Sequence, residues 1–142
     1  MVAPMTEREP IETYLRVELI DDEMIVVVRG GPVTTEKFVE HAQRQAREFS
    51  FRGSPMYSIS VNLTVAGWEL EALLAGPLAS RSTYATATVG AVRTAGFDLL
   101  PTFASPHYDL LLPGGQYPEA ERARAVFSAP EPNPFKRGGR SK

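Results

Sequence analysis

The chain has no cysteine among its 142 residues. That absence removes a disulfide scaffold, a thiolate nucleophile and every cysteine-ligated zinc site. Histidine is nearly as scarce: His41 and His107 are the two present, at a spacing that fits no metal-ligand pattern, so no metal is expected. Apolar runs fall far short of the roughly 20 residues that a membrane-spanning helix needs, and no apolar signal core follows a basic start. The expected setting is therefore cytoplasmic, with no membrane partner. Internal repeats and coiled-coil heptads are also lacking.

What is present is ordinary globular composition, 43% hydrophobic and 23% charged, enough to bury a core without staples. The expected organisation is a flexible N-terminal tail over 1–10, one globular domain over 11–128 and a disordered, proline-rich basic tail over 129–142. Charge sits at the ends: residues 1–23 carry about −5 and 128–142 about +3, which leaves the middle balanced against a total of −2. A dedicated nucleic-acid binder usually shows a basic face. Here there is a local excess, Arg29, Lys37, Arg44, Arg47 and Arg52, interleaved with Glu36, Glu40 and Glu48. It reads either as a solvated helix face or as a phosphate-binding surface.

Alternation over 11–20 predicts a half-buried strand, and the Ile/Val run over 24–29 a strand buried on both faces, the two forming a hairpin. Thr34 or Thr35 caps a helix to about Phe49 or Phe51, with Phe38, Ala42, Ala46 and Phe49 on one stripe. Residues 52–55 read as a loop and 56–63 as a third strand, with Ser58 and Ser60 on one face and Ile59 and Val61 on the other. Those hydroxyls either line a pocket or occupy a solvent face. A helix follows Gly67; residues 82–88 read as a short strand or as the first turns of a helix, the strand being preferred because successive Thr weaken a helix, with Thr88 capping a helix to Ala95. Gly96 closes that helix, strands run over 97–103 and 107–112 around a turn at Ala104-Ser105-Pro106, and Pro118 starts a last helix to about Phe127. About six strands and four helices, with both hairpins and crossovers, predict the α+β class: a single domain on a mixed, mainly antiparallel sheet.

The best candidate for chemistry is His107. A neutral imidazole at a strand start serves as general base or acid toward a hydroxyl. Asp109 shares its strand face and is placed to orient it, with Thr102, Ser105 and Tyr108 nearby and Tyr108 a candidate ligand contact. The plain alternative is a histidine that packs or caps the turn. Gly30-Gly31 ahead of a helix N-terminus invites an anion, although neither a dinucleotide fingerprint nor a P-loop is present; the alternative is a simple turn. Arg44 and Arg47 are the matching ligand contacts on that helix. His41 is expected to be a plain helix residue.

The Gly96-Phe97 helix end, the strand after it, the Ser105-Pro106-His107 turn and the returning strand resemble small toxin ribonucleases of the HicA type. The resemblance covers 89–112, with Ala104 where that family has glycine, and implies that His107 cuts messenger RNA. A second resemblance is to ADP-ribosyltransferases of the Arg–Ser–Glu class, carried by Arg29 and Ser58-Ile59-Ser60. It implies that Arg29 holds dinucleotide phosphates and Ser60 belongs to the reacting site. NAD is the one cofactor expected, and under that resemblance alone.

Three function classes follow. The first is a toxin-like enzyme acting on RNA or a nucleotide, with His107, Arg29, Ser60 and Asp109 as catalytic candidates and Gly30, Gly31, Arg44, Arg47, Ser58 and Tyr108 as ligand contacts. The second is a non-enzymatic domain that binds a cognate protein partner. The third is a homodimeric structural protein.

Overall fold

A computed structural model describes residues 20–136 of the chain, apart from 22 and 24. In order, its elements are β1 (Val26–Gly30), α1 (Thr35–Glu48), β2 (Ser50–Phe51), β3 (Ser54–Pro55), β4 (Ser58–Leu63), α2 (Leu70–Ala75), β5 (Thr83–Thr88), α3 (Val89–Thr94), β6 (Leu99–Pro101), β7 (His107–Leu111), a 3-10 turn (Pro113–Gly115), α4 (Tyr117–Val126) and β8 (Glu131–Pro132). Six strands form one sheet in the order β6-β7-β4-β1-β5-β8, while β2 and β3 make a separate ribbon. Every pairing among the described residues is antiparallel. The class is α+β, in a single domain.

Local chemistry explains the element ends. Thr34 accepts the Lys37 N–H at 3.1 Å and Thr88 accepts the Ala91 N–H at 3.0 Å, each satisfying a donor that the first helical turn leaves open. Phe38, Ala42 and Ala46 are buried on one stripe of α1, spaced four residues apart as a helix packed on one side requires. Phe38 and Ala42 join Val27, Ile59, Val61, Tyr108 and Leu110 from the central strands, Ala120 and Ala123 from the last helix and Phe127 just after it in the main core. A smaller cluster of Val28, Leu73, Leu74 and Leu78 fixes α2. Each fully buried side chain of this size contributes about 1.5–3 kcal/mol by leaving water.

Three expectations need correction. The strand expected over 97–103 shrinks to Leu99–Pro101, because Pro101 has no N–H to extend a ladder and Phe103 takes a left-handed φ of +57°. The loop expected over 52–55 contains a hairpin turn instead: Arg52 and Gly53 both lie at positive φ, the geometry that suits a two-residue connection between twisted strands. The disordered tail expected from 129 is part of the fold as far as 136. Glu131 and Pro132 pair with β5, and the buried Asn133 side chain donates to the carbonyls of Leu74, Leu78 and Arg81. The expected tail over 1–10 and, but for Ile20, the expected strand over 11–20 lie outside the described residues.

Candidate functional site

Two buried charged side chains organise the polar interior, and both stand on the central strands. Strand β7 alternates, so Tyr108 and Leu110 enter the main core while His107 and Asp109 take the other parity. In register, Ser60 lies opposite Asp109 and Asn62 opposite His107. Asp109 is fully buried. Its Oδ1 accepts Ser58 Oγ–H at 2.8 Å and Gln45 Nε2–H at 3.0 Å, and its Oδ2 accepts Thr102 Oγ1–H at 2.7 Å. Three donors on one carboxylate meet the demand that a buried charge be fully hydrogen-bonded.

Thr102 Oγ1 also lies 2.8 Å from His107 Nδ1. A threonine hydroxyl carries one hydrogen, and that hydrogen is spent on the carboxylate. The remaining arrangement has His107 Nδ1–H donating to Thr102, which leaves Nε2 as the nitrogen with the lone pair. His107 is half-buried, its N–H donates to the Ala104 carbonyl at 3.0 Å, and its ring meets Phe103 edge-on at 5.5 Å. Phe103 in turn meets Phe49 at 5.5 Å and is 38% exposed. The half-buried His107 ring thus sits between an exposed aromatic and a buried acid.

The second charge is Arg29, 8% exposed. It donates from one terminal nitrogen to the Ser60 carbonyl at 2.9 Å and approaches His41 Nδ1 with the other at 3.4 Å. Its guanidinium also lies 5.6 Å from the Phe38 ring centroid, a cation–π distance. Its Nε is buried and has no hydrogen-bond partner. Among the described residues no carboxylate pairs with it. Burial, then Arg81 and Arg44, push the Arg29 pKa down to about 10, against a smaller opposing pull from Asp109. His41 is pushed down to about 3, first by burial and then by Arg29, Arg44, Arg81 and His107. It is therefore neutral near pH 7 and able to accept from Arg29. Arg29, Pro32, Lys37, Glu40, His41, Arg44 and Arg81 line a cavity of about 190 Å³. Glu40, the acid in that lining, pairs with Lys37 at 3.2 Å.

The expected site residues divide accordingly. His107 and Asp109 are joined, through Thr102 rather than directly. Arg29 and Ser60 meet, but through the Ser60 carbonyl and not its hydroxyl. Ser58 is buried and spends its hydroxyl on Asp109. Arg44 lines the cationic cavity, whereas Arg47 is exposed and outside that lining. The glycine pair is no anion cradle: Gly30 pairs with Tyr84, and the Gly31 N–H is used on the Thr83 carbonyl at 2.9 Å. Gly30 serves close packing, since a Cβ there would sit 2.8 Å from Leu78 Cδ2. Tyr108 is a core residue, 1% exposed, because strand alternation turns it away from His107.

His41, Arg81 and Gln45 were not expected at a site. The first had a signal: Lys37, His41 and Arg44 fall at i, i+4 and i+7 on one face of α1. Arg81 and Gln45 arrive through tertiary packing and carried none. Among the described residues no group of three or more metal-binding side chains is assembled, and no helix is long and apolar enough to cross a membrane. No protein-family model, curated protein or solved structure matches the chain, so the geometry alone carries the functional argument.

Proposed function

We propose that this domain is a small toxin-like enzyme acting on RNA or a nucleotide, with His107 as its general base. The observation that carries the reading is the chain of hydrogen bonds from His107 Nδ1 through Thr102 Oγ1 to the buried carboxylate of Asp109. It holds the ring in one tautomer and stabilises the imidazolium that forms when Nε2 takes a proton. On RNA, Nε2 removes the proton of a ribose 2′-hydroxyl. The freed oxygen bonds to the adjacent phosphorus, and the P–O5′ bond breaks. A 2′,3′-cyclic phosphate results, and the departing 5′-oxygen regains a proton from the imidazolium. Arg29, Arg44 and Arg81 supply the positive surroundings that a polyanionic substrate needs; His107 is close enough for its charge to be felt at His41.

The test is cleavage of single-stranded RNA by purified protein, read beside growth arrest on induction in a bacterial host. Wild type should cut and arrest, and His107→Ala should do neither. Thr102→Val should lower the cleavage rate by roughly 10–100-fold, as loss of an orienting partner does, and Thr102→Ser should restore it. A tautomer measurement by nitrogen-15 NMR should show His107 Nδ1 protonated in wild type and in Thr102→Ser. Soluble, folded protein that neither arrests growth nor cuts RNA or a nucleotide overturns the proposal and leaves a non-enzymatic binding domain as the better reading.

A further inference from the structure

The cavity beneath α1 deepens that reading by naming the part of the substrate that the domain holds. We infer that Arg29, Arg44 and Arg81 form a seat for a phosphate monoester, the terminal phosphate of a free nucleotide or of an RNA 5′ end.

Arg29 lacks a counter-charge bonded to it among the described residues. A buried guanidinium is costly unless it is paired with a negative charge and its donors are hydrogen-bonded. Arg29 has one good acceptor, the Ser60 carbonyl, one long contact to a neutral imidazole, and an Nε–H with none. Both acceptors are neutral, and among the described residues no carboxylate pairs with the charge, which feels only a smaller pull from Asp109. Its neighbours worsen the imbalance, because Arg44 and Arg81 are close enough to disfavour its charged form. Three like charges gathered about one cavity, with one of them inside the protein, favour an anion among them beyond what the smaller pull of Asp109 supplies.

The lining decides which anion. Lys37 and Glu40 cancel as an ion pair, and His41 adds no charge at neutral pH. The wall is left with three guanidinium groups and a net charge of about +3. A carboxylate has one charge and two oxygens, whereas a phosphate monoester has close to two charges and three terminal oxygens, each suited to the guanidinium fork. An internal phosphodiester has a single charge and a chain leaving from both sides. A space of about 190 Å³ suits a terminal group better than a continuing strand. His41 then has a definite part: accepting at Nδ1 from Arg29 leaves its hydrogen on Nε2, where it is a neutral donor.

Calorimetric titration at constant ionic strength tests the inference on the whole protein. Inorganic phosphate, adenosine monophosphate and adenosine are the first probes. A ribo-oligonucleotide with a 5′-phosphate and the same strand with a 5′-hydroxyl follow. Phosphate and the monophosphate should bind, adenosine should not, and the 5′-phosphate strand should bind at least tenfold tighter than its hydroxyl counterpart if RNA ends are the source. If the free monophosphate binds and the two strands do not differ, the source is the nucleotide. Arg44→Ala and Arg81→Ala, both at exposed positions, should each weaken binding by roughly tenfold, the scale of one charge-assisted hydrogen bond, with the fold intact. Arg29→Lys should also weaken it, because an ammonium cannot reproduce the fork. Adenosine binding as tightly as its monophosphate, or a double Arg44→Ala, Arg81→Ala variant binding as wild type does, overturns the inference. His107→Ala should bind the monophosphate as wild type does, so loss of cleavage and loss of the phosphate seat are read separately.

Discussion

Asp109 and Arg29 are both buried charges on neighbouring parts of one sheet, and they are treated in opposite ways. Asp109, fully buried, accepts from Ser58, Gln45 and Thr102, three donors from three different elements or loops. Arg29 has one short hydrogen bond, an unpartnered Nε and two more arginines beside it. Among the described residues the first charge has its hydrogen bonds filled and the second does not. A satisfied buried charge orients what touches it, and an unsatisfied one invites a ligand.

The most severe way to break this contrast is Asp109→Ala. It takes the shared acceptor from the buried Ser58 and Thr102 hydroxyls and the half-buried Gln45 amide and opens a hole, so it should cost about 3–5 kcal/mol by denaturant unfolding. Thr102→Val removes the middle link and exposes one carboxylate oxygen and one imidazole N–H to an apolar neighbour. A loss of about 1–3 kcal/mol is expected, with most of it recovered in Thr102→Ser. Arg29→Met should go the other way. Removing a buried charge that no carboxylate pairs among the described residues, while keeping its bulk, should change stability by less than about 1 kcal/mol, or raise it; a loss as large as that of Asp109→Ala would mean that Arg29 is as well paired as Asp109.

The smallest effect sharpens the comparison through pH. His41 is neutral in the folded protein down to about pH 3, whereas its unperturbed value is 6.5. Below about 6.5 the unfolded chain binds a proton that the folded one refuses, so this contribution to stability is present above 6.5 and is lost as pH falls toward 3. Melting temperature measured across that window should fall less steeply in His41→Gln than in wild type. Parallel curves would show that His41 does not carry the linkage.

Much of the scaffold was legible in the sequence because it rests on local rules. Thr34 and Thr88 cap helices as their hydroxyls imply, the stripe of Phe38, Ala42 and Ala46 is buried as its spacing implies, and Gly96 takes the left-handed φ that ends α3. The site was legible in part. His107 and Asp109 share a parity that any reader of alternation finds, and a charged residue in the Ile/Val run at 24–29 marks Arg29. What connects them was hidden, because Gln45 and Arg81 come from 64 and 52 positions away in sequence to meet Asp109 and the neighbourhood of Arg29. Local patterning carries no record of such pairings. Ser60 illustrates a different blind spot: a motif read for its hydroxyl works here through its backbone carbonyl.

Asn133 gives the far end of the chain a say in the phosphate seat. One side-chain amide clamps three carbonyls of the segment 74–81, the last of them belonging to Arg81 itself, and the Asn133 N–H donates to the Ser82 carbonyl on the other side of that arginine. The Arg81 backbone is thus anchored just ahead of β5 by a residue more than fifty positions later. A protease that trimmed the protein back to Ala129 would leave His107, Thr102 and Asp109 as they are and set Arg81 adrift, so the anion would be lost before the base.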